Sequence, residues 1–310
     1  MHRKDILVTG GTGMVGHAFN DTDQYTFLKV GSKVDLTNFT DALNLVGKTR
    51  PDAVIHLAAK VGGVKGNTDY VGDFFRENIL INTNLLEACR WYKIPKVVSL
   101  LSTCIYPDNA TYPLTENQIH AGEPHISNFG YAYAKRMLHV QSMAYRKQFG
   151  CNFVCAVPNN LFGMHDNFDL ENGHVIPAVI RKIYEAKRLG KDSITFWGDG
   201  TPLREFTYNK DIAHSLIFLM ENYDGELPVN IGNTNEISIM SLVSEVANIF
   251  DYKGKISWDT SKPSGQHRKP SDNSLLKSLG YETKYTEISS ALAETCEWFS
   301  RNYPNLRGIN

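Results

Sequence analysis

The chain has few cysteines, and their spacing matches neither a disulfide framework nor a zinc site. Five cysteines occur among 310 residues, at positions 89, 104, 151, 155 and 296. None forms a CxxC pair, and the count is odd. We therefore expect free thiols, a reducing compartment and no metal site.

Long apolar runs are also missing from the sequence. No stretch approaches the roughly 20 apolar residues that a membrane-spanning helix needs. The N-terminal segment MHRKDILVTG has too short an apolar run for a secretory signal. We therefore expect a cytoplasmic protein with no membrane partner.

Neither sign of charge dominates the composition. Lys and Arg number 32, Asp and Glu number 33, and the formal net charge is −1. This balance excludes a broadly basic nucleic-acid binder, and a hydrophobic content of 42% excludes disorder for most of the chain. The length suits one large domain or two.

Short apolar runs alternate with longer helical patterns in the first half of the chain. The predicted strands of this half cover 6–8, 26–30, 52–58, 96–101 and 153–158. The predicted helices between them cover 74–92 and 132–149. Strands that alternate with helices, and that are apolar almost throughout, predict a parallel sheet covered on both faces.

The pattern changes after about residue 160, where polar loops rich in Asn, His, Asp and Gly begin. The predicted elements of this half are helices at 175–190, 211–223, 238–250 and 287–302 and a strand at 229–232. We expect a nucleotide-binding domain over 1–160, with elements around 205–235 returning to its sheet. A smaller α/β domain that binds substrate is expected over 161–310.

Three glycines follow the first predicted strand at the spacing GxxGxxG. Gly10 permits a tight turn, Gly13 lets the backbone approach a pyrophosphate, and Gly16 lets the next helix pack on the strand. A helix that begins here would offer free N–H groups to the phosphates. A purely structural glycine turn is the alternative. The strand context favours a dinucleotide in a Rossmann-type, doubly wound α/β fold.

Residues after the second predicted strand favour NADP over NAD. Lys29, Ser32 and Lys33 suit a 2′-phosphate, and the first carboxylate in this stretch is Asp35. We expect Asp35 and Leu36 to lie beside the adenine.

Tyr131 and Lys135 have the YxxxK spacing, which places both side chains on one face of a helix. An ammonium beside a phenol stabilises the phenolate, so we expect the pKa of Tyr131 to fall from about 10 toward neutrality. Tyr131 then exchanges a proton with a carbonyl oxygen during hydride transfer. YxxxK alone is also common on structural helices. Its position after the glycine loop and the segment Ser102-Thr103-Cys104 favours catalysis.

Eight segments in order along nearly the whole chain resemble the extended short-chain dehydrogenase/reductase family. They are GMVG (13–16), AAKVGG (58–63), STCIYP (102–107), the pair Tyr131 and Lys135, NLFGMHDNF (160–168), GHVIP (173–177), WGDGTPLREF (197–206) and SKP with RK (261–269). Together these motifs are highly specific.

Within this family, the chain is most similar to bifunctional enzymes that act on GDP-4-keto-6-deoxy-D-mannose. These enzymes epimerise C3 and C5 and reduce C4 with NADPH, giving GDP-L-fucose. The resemblance implies that Ser102 and Tyr131 bind the C4 carbonyl, and that Lys135 tunes Tyr131 and holds the nicotinamide ribose. It assigns the acid–base pair for C3 and C5 to Cys104 and His174. A thiol suits this role if neighbouring cations lower its pKa.

The resemblance also implies binding residues and an assembly. The cofactor-binding residues would be Gly10, Gly11, Thr12, Gly13, Met14, Val15, Gly16, Lys29, Ser32, Lys33, Asp35, Leu36, Leu57, Ala58, Ala59, Leu100, Leu101, Ser102, Thr103, Tyr131, Lys135, Pro158, Asn159, Asn160, Leu161 and His174. The substrate-binding residues would be Lys182, Trp197, Arg204 and Lys269. A homodimer would form through the helices at 74–92 and 132–149.

The glycine loop departs from the family pattern in two ways. Thr12 stands where some members have an Arg that could assist a 2′-phosphate, and the stretch between Gly16 and Val30 is short for a helix and a strand. Both features weaken the preference for NADP.

Two other functions are compatible with the sequence. One is another nucleotide-sugar 4-reductase or 4-epimerase, although a 4-epimerase needs no base such as Cys104 for C3 and C5. The other is a non-catalytic protein that senses NADP, although Tyr131 and Lys135 are both intact.

Overall fold

The computed structural model describes residues 3–262 and 267–309, so Pro263 of the SKP motif lies outside the described residues. The strands are β1 (Lys4–Thr9), β2 (Tyr25–Val30), β3 (Ala53–His56), β4 (Val97–Leu100), β5 (Phe153–Pro158), β6 (Asn160–Phe162), β7 (Ser193–Trp197), β8 (Leu203–Tyr208), β9 (Val229–Ile231), β10 (Glu236–Ser238) and β11 (Lys255–Asp259). The helices are α1 (Phe39–Thr49), α2 (Val64–Asp69), α3 (Val71–Trp91), α4 (Phe129–Phe149), α5 (Val175–Arg188), α6 (Asn209–Asn222), α7 (Ile239–Ile249), α8 (Ser274–Ser278) and α9 (Ile288–Asn302).

Across the described residues, six strands form one parallel sheet in the order β2, β1, β3, β4, β5, β9. Side chains alternate between its faces, so Ile6 and Val8 pack with Leu216 of α6, while Leu7 packs with Leu85 of α3. Every residue of β3, β4 and β5 is buried. The predicted doubly wound α/β fold is confirmed.

A second region is built from smaller sheets and the helices α5, α7 and α9. Strand β8 pairs with β10 in antiparallel and with β6 in parallel orientation, and β7 pairs with β11 in parallel. Apolar side chains of these elements, such as Ile180, Phe206, Val243 and Phe299, share one core. Helix α6 and strand β9 lie among the elements of the second region in sequence but pack with the large sheet.

The prediction of an α-helix directly after the glycine loop is wrong. The chain makes only a 3₁₀ turn at Gly16–Ala18 and becomes extended at Phe19. The short polar link to β2 forms turns instead, because Asp21 accepts from the Phe27 N–H at 2.9 Å and Thr22 accepts from the Tyr25 N–H at 3.0 Å. Such side chains compete with helical hydrogen bonds for the backbone.

The carboxyl ends of the parallel strands meet at one edge of the large sheet, where ligands bind in folds of this kind. The glycine loop follows β1, residues 57–59 follow β3, and residues 101–103 follow β4. Residues 159–161 come directly after β5. The fold thereby gathers most of the predicted site residues. Among the described residues, no helix has the length and apolar character to cross a membrane.

Candidate active site

The glycine loop has the shape that a dinucleotide needs. Gly10 has a φ of +69°, and a Cβ there would lie 2.8 Å from the Ala58 nitrogen, so a larger residue would be strained and crowded. A Cβ added at Gly13 meets only the Gly10 carbonyl oxygen, at 3.2 Å. The backbone at Gly13 is therefore accessible to a ligand, and this loop fits a pyrophosphate although the 3₁₀ turn replaces the expected helix.

Positive charge surrounds the end of β2. Lys29, Ser32 and Lys33 are exposed, as is Asp35. The Asp35 carboxylate accepts hydrogen bonds from the Thr37 N–H at 2.9 Å and hydroxyl at 2.7 Å, and these bonds hold its pKa below the usual value. One Asp35 oxygen is thus already engaged within its own loop, whereas the lysines are available for a phosphate.

Leu36 does not present its side chain to a ligand. It is buried in the core on the α3 side of the sheet, and its carbonyl accepts from Asn84 Nδ2 at 3.0 Å. Thr12, from the glycine loop, packs against Gly31 next to the Lys29–Lys33 segment. The predicted position of Leu36 beside the adenine is untested.

Ser102 and Cys104 lie immediately beyond β4, in a 3₁₀ turn at Thr103–Ile105. The Ser102 hydroxyl caps this turn by accepting from the Cys104 N–H at 3.4 Å. The Cys104 side chain is partly exposed. Burial raises the pKa of its thiol, while the Ser102 hydroxyl and the ammonium groups of Lys269 and Lys135 act in the opposite direction.

Tyr131 and Lys135 lie in the first two turns of α4. The Lys135 ammonium is 5.9 Å from the centroid of the Tyr131 ring and donates to the Leu100 carbonyl at 2.8 Å. Burial lowers the pKa of Lys135 to about 8 and raises the pKa of Tyr131, which the nearby Cys104 raises further. The pKa of Tyr131 therefore shifts in the direction opposite to the expected lowering, because burial of the phenol and the nearby Cys104 thiol both raise it.

His174 lies at the start of α5, where it is exposed. Desolvation and, to a smaller extent, the positive charge of Arg307 lower the pKa of its imidazole. The next residue, Val175, lines the cavity described below. His174 is thus next to a cavity-lining residue of the second region, whereas Cys104 follows strand β4 of the large sheet.

A cavity of about 230 Å³ lies between β6, β8 and the start of α5. Its lining residues are Asn160, Val175, Trp197, Gly200, Pro202, Arg204, Phe206 and Ile239. Trp197 is 70% exposed, so its ring offers a flat apolar surface at the rim. Asn160, predicted to contact the cofactor, lines this cavity.

The four predicted substrate residues are not all in the cavity wall. Arg204 and Trp197 line it. Lys269 is close enough to Arg204 and Cys104 for their charges to act on its ammonium, whose pKa burial lowers. Lys182 is different, because its ammonium donates to the Thr195 carbonyl and lies 4.7 Å from the Phe196 ring centroid.

The chain matches a known enzyme family over most of its length. Residues 6–232 match the NAD dependent epimerase/dehydratase family. The chain belongs to this family. The described residues contain no group of three or more His, Cys, Asp or Glu side chains that could hold a metal ion.

Individual relatives match almost from end to end. A GDP-L-fucose synthase from Dictyostelium discoideum is 42% identical, over 98% of this chain and 98% of its own. A GDP-L-colitose synthase from Yersinia pseudotuberculosis is 36% identical, over 95% of this chain and 97% of its own. The crystal structure of a GDP-L-fucose synthetase from Naegleria fowleri bound to NADP has a TM-score of 0.94 and 38% identity, covering 99% of this chain and 96% of its own.

Sequence reasoning missed the apolar wall of the cavity and the polar groups behind it. Pro202, Phe206 and Ile239 line the cavity without having been predicted to do so. Glu205 is 2% exposed and was not singled out. A charged residue within the strand LREFTY is the signal that could have identified it, because an ionised side chain is rarely buried without a purpose.

Proposed function

We propose that this enzyme converts GDP-4-keto-6-deoxy-D-mannose to GDP-L-fucose, by inverting C3 and C5 and reducing C4 with NADPH. The observation that carries the proposal is the position of Cys104, whose thiol interacts electrostatically with Tyr131 and Lys135. A simple ketone reductase needs only the tyrosine and lysine. The thiol adds an acid–base group beside them, in a chain that matches GDP-L-fucose synthases over nearly its full length.

The epimerisations need proton removal and return, without a change of oxidation state. C3 and C5 are both adjacent to the C4 carbonyl, so removal of either proton forms an enolate with its charge on the C4 oxygen. Ser102 and Tyr131 donate hydrogen bonds to that oxygen. We assign the acid–base roles to Cys104 and His174; their positions after β4 and before α5, in different regions of the chain, support the assignment. One removes the proton from one face of the carbon, and the other returns a proton to the opposite face.

The reduction uses the same carbonyl. NADPH, held by the glycine loop and the Lys29–Lys33 segment, supplies a hydride to C4. Tyr131 donates its phenolic proton to the C4 oxygen. Lys135, with a pKa of about 8, is mostly protonated at neutral pH and stabilises the phenolate that results.

Recognition of the GDP group falls to the cavity and its basic neighbours. Arg204 and Lys269 bind the pyrophosphate, since guanidinium and ammonium groups favour phosphate oxygens. Trp197 packs against the sugar or the base, and Lys182 binds at the outer edge after leaving Thr195.

The test is an assay of purified enzyme with GDP-4-keto-6-deoxy-D-mannose, with NADPH and NADH in parallel. NADPH oxidation with GDP-L-fucose as product supports the proposal. A GDP-6-deoxyhexose with unchanged C3 and C5 would retain the reductase and reject the Cys104–His174 pair. The similarity to a GDP-L-colitose synthase makes a related GDP-4-keto sugar the second candidate substrate, and the rates on the two substrates separate these functions.

We propose that the enzyme is a homodimer formed through α3 and α4, which pack against each other. Met137 and Val140 lie one turn apart on α4 and are 38% and 37% exposed, and Phe75 on α3 is 43% exposed. Apolar side chains on the outer face of paired helices favour a symmetric contact. Sedimentation of wild type and Val140→Glu tests this, and an unchanged monomer mass in both would reject it.

We also propose the domain division of the chain at residue 160, with elements around 205–235, namely α6 and β9, returning to the first domain. Separate apolar cores on the large sheet and among α5, α7 and α9 support it. A cytoplasmic location is proposed too, supported by the five free thiols. Limited proteolysis and cell fractionation test these two statements.

A further inference from the structure

A buried carboxylate, Glu205, lies behind the wall of the cavity. Glu205 is on β8 and is 2% exposed, and it belongs to none of the catalytic or binding residues assigned above. A buried carboxylate is costly unless hydrogen bonds compensate for lost hydration. Its partners therefore indicate what it does.

Glu205 accepts hydrogen bonds from two other segments of the chain. Ser271 donates through its N–H at 2.9 Å and its hydroxyl at 2.6 Å. Asn159, at the end of β5, donates through Nδ2 at 3.3 Å and accepts from the Thr207 hydroxyl at 2.6 Å. One carboxylate thus joins β8, the end of β5 and the segment that contains Ser271.

Each of these segments presents a neighbouring residue to the site. Arg204 precedes Glu205 and lines the cavity, as does Asn160, which follows Asn159 and donates to the Glu205 carbonyl at 2.9 Å. Lys269 is two residues before Ser271 and acts electrostatically on Cys104. The three ligand-facing residues therefore share one support behind the wall.

The segment 267–272 has other anchors, one at the surface and others to buried residues. Arg268 donates to both carboxylate oxygens of Glu236 at 2.8 Å, in an ion pair whose arginine side chain is 56% exposed. The Leu114 N–H donates to the Pro270 carbonyl at 2.9 Å. Glu205 adds a buried carboxylate that accepts two hydrogen bonds from Ser271 of this segment.

We propose that Glu205 is a positioning residue that fixes Arg204, Asn160 and Lys269 around the GDP-sugar and, through Lys269, holds a positive charge beside the Cys104 thiol. The part of this proposal that concerns the GDP-sugar rests on the proposed function. Burial raises the pKa of Glu205, and the hydrogen bonds from Ser271 and Asn159 oppose this effect, so these bonds favour the ionised acceptor.

Glu205→Gln is the informative variant, because it keeps the shape but replaces one acceptor oxygen by a donor. Asn159 Nδ2 and the Ser271 hydroxyl, which both donate to the carboxylate, can then face an amide N–H in place of an acceptor oxygen. The segment that contains Ser271 therefore shifts. We expect KM for the GDP-sugar to rise about tenfold, as for the loss of a charged hydrogen bond. We expect iodoacetamide to alkylate Cys104 about threefold more slowly, because a smaller fraction of the thiol is then ionised. Peptide mapping measures the alkylation.

Glu236→Gln is the matched control, because it removes the outer contact to the same segment. We expect this variant to retain wild-type values of both quantities. A merely structural role of Glu205 would lower thermal stability without changing KM or Cys104 alkylation in the folded variant. The proposal is overturned if folded Glu205→Gln lies within twofold of wild type in either measurement.

Two further comparisons cover a Glu205→Gln variant that does not fold and a failure of the proposed function. If Glu205→Gln does not fold, Ser271→Ala removes one of the hydrogen bonds, and unchanged KM and alkylation in that variant overturn the proposal. If wild type does not act on GDP-4-keto-6-deoxy-D-mannose, the proposed function fails. The alkylation comparison still tests Glu205, because it needs no substrate.

Discussion

In the parallel sheet, functional side chains lie within a few residues of a strand end, whereas in the cavity region they come together through contacts between distant segments. The glycine loop follows β1 directly, and Ser102 and Cys104 follow β4. In the second region, Arg204 and Lys269 are neighbours because hydrogen bonds join β8 to residues far along the chain.

This difference separates the residues proposed for catalysis from those proposed for substrate binding. The parallel sheet is buried on both faces, so the positions of Tyr131, Lys135 and Cys104 follow from the layered core. The cavity depends on single hydrogen bonds and exposed rings such as Trp197. Changes in the sheet region should therefore abolish a chemical step, and changes in the cavity region should weaken binding.

The largest effect is expected when the phenol of Tyr131 is removed. Tyr131→Phe should reduce NADPH oxidation about 10³-fold, because the C4 oxygen then lacks its proton donor. Tyr133→Phe, two residues away on α4, is the matched control and should retain the rate. Loss of less than tenfold in Tyr131→Phe would contradict the assignment.

Removal of the thiol should separate the two half-reactions within the sheet region. Cys104→Ser should slow solvent exchange at C3 and C5 by about 10²-fold, because a hydroxyl is a far weaker base. NADPH binding should be unchanged. Cys151→Ser serves as control, since Cys151 is a partly exposed thiol outside the site. Exchange at the wild-type rate would show that another residue is the base.

A change in the cavity wall should affect binding instead. Arg204→Ala should raise KM for the GDP-sugar about tenfold, with a smaller change in kcat, because a charged phosphate contact is lost. Arg301→Ala, in an exposed ion pair on α9, should leave both constants near wild type. A loss confined to kcat would place Arg204 in the chemical step. It would contradict the assignment of substrate binding to the cavity region and of chemistry to the sheet region.

The last expected effect concerns the stability of the second region and not catalysis or binding. Burial raises the pKa of Asp166 to about 7, so above pH 4 the unfolded chain releases this proton while the folded chain retains it. Stability falls as pH rises through this window. Asp166→Asn removes the cost, and its stability should gain about 4 kcal/mol over that of wild type between pH 4 and pH 8. Thermal melts between pH 4 and 8 measure this gain.

The exposed Asp251 provides the control for that titration. Lys253 lowers the pKa of its carboxylate, so Asp251→Asn should not become relatively more stable as pH rises. A gain for Asp166→Asn that is equal at pH 4 and pH 8 would exclude the buried carboxylate as its cause.

Strand and helix positions in the sheet region could be predicted because they depend on local sequence patterns. Strand β5 was predicted over its observed residues, 153–158, and the helix predicted at 132–149 begins three residues earlier, at Phe129. The missing helix after Gly16 is the exception, since the turn-forming side chains of Asp21 and Thr22 outweigh the family pattern.

The cavity could be predicted only in part, because its geometry depends on long-range contacts. Arg204 and Trp197 were identified from a motif, yet the hydrogen bonds of Glu205 span 46 and 66 residues of sequence. The pKa of Tyr131 was also mispredicted. Spacing shows that Lys135 is near the phenol, but it does not show how strongly burial acts on it.

One measurement tests the central claim that a single site both epimerises and reduces the sugar. The enzyme is supplied with GDP-4-keto-6-deoxy-D-mannose and unlabelled NADPH in deuterated water, and the positions of deuterium in the product are determined. The account predicts GDP-L-fucose with deuterium at C3 and C5 and hydrogen from NADPH at C4. A reduced product without deuterium at C3 and C5 would contradict it.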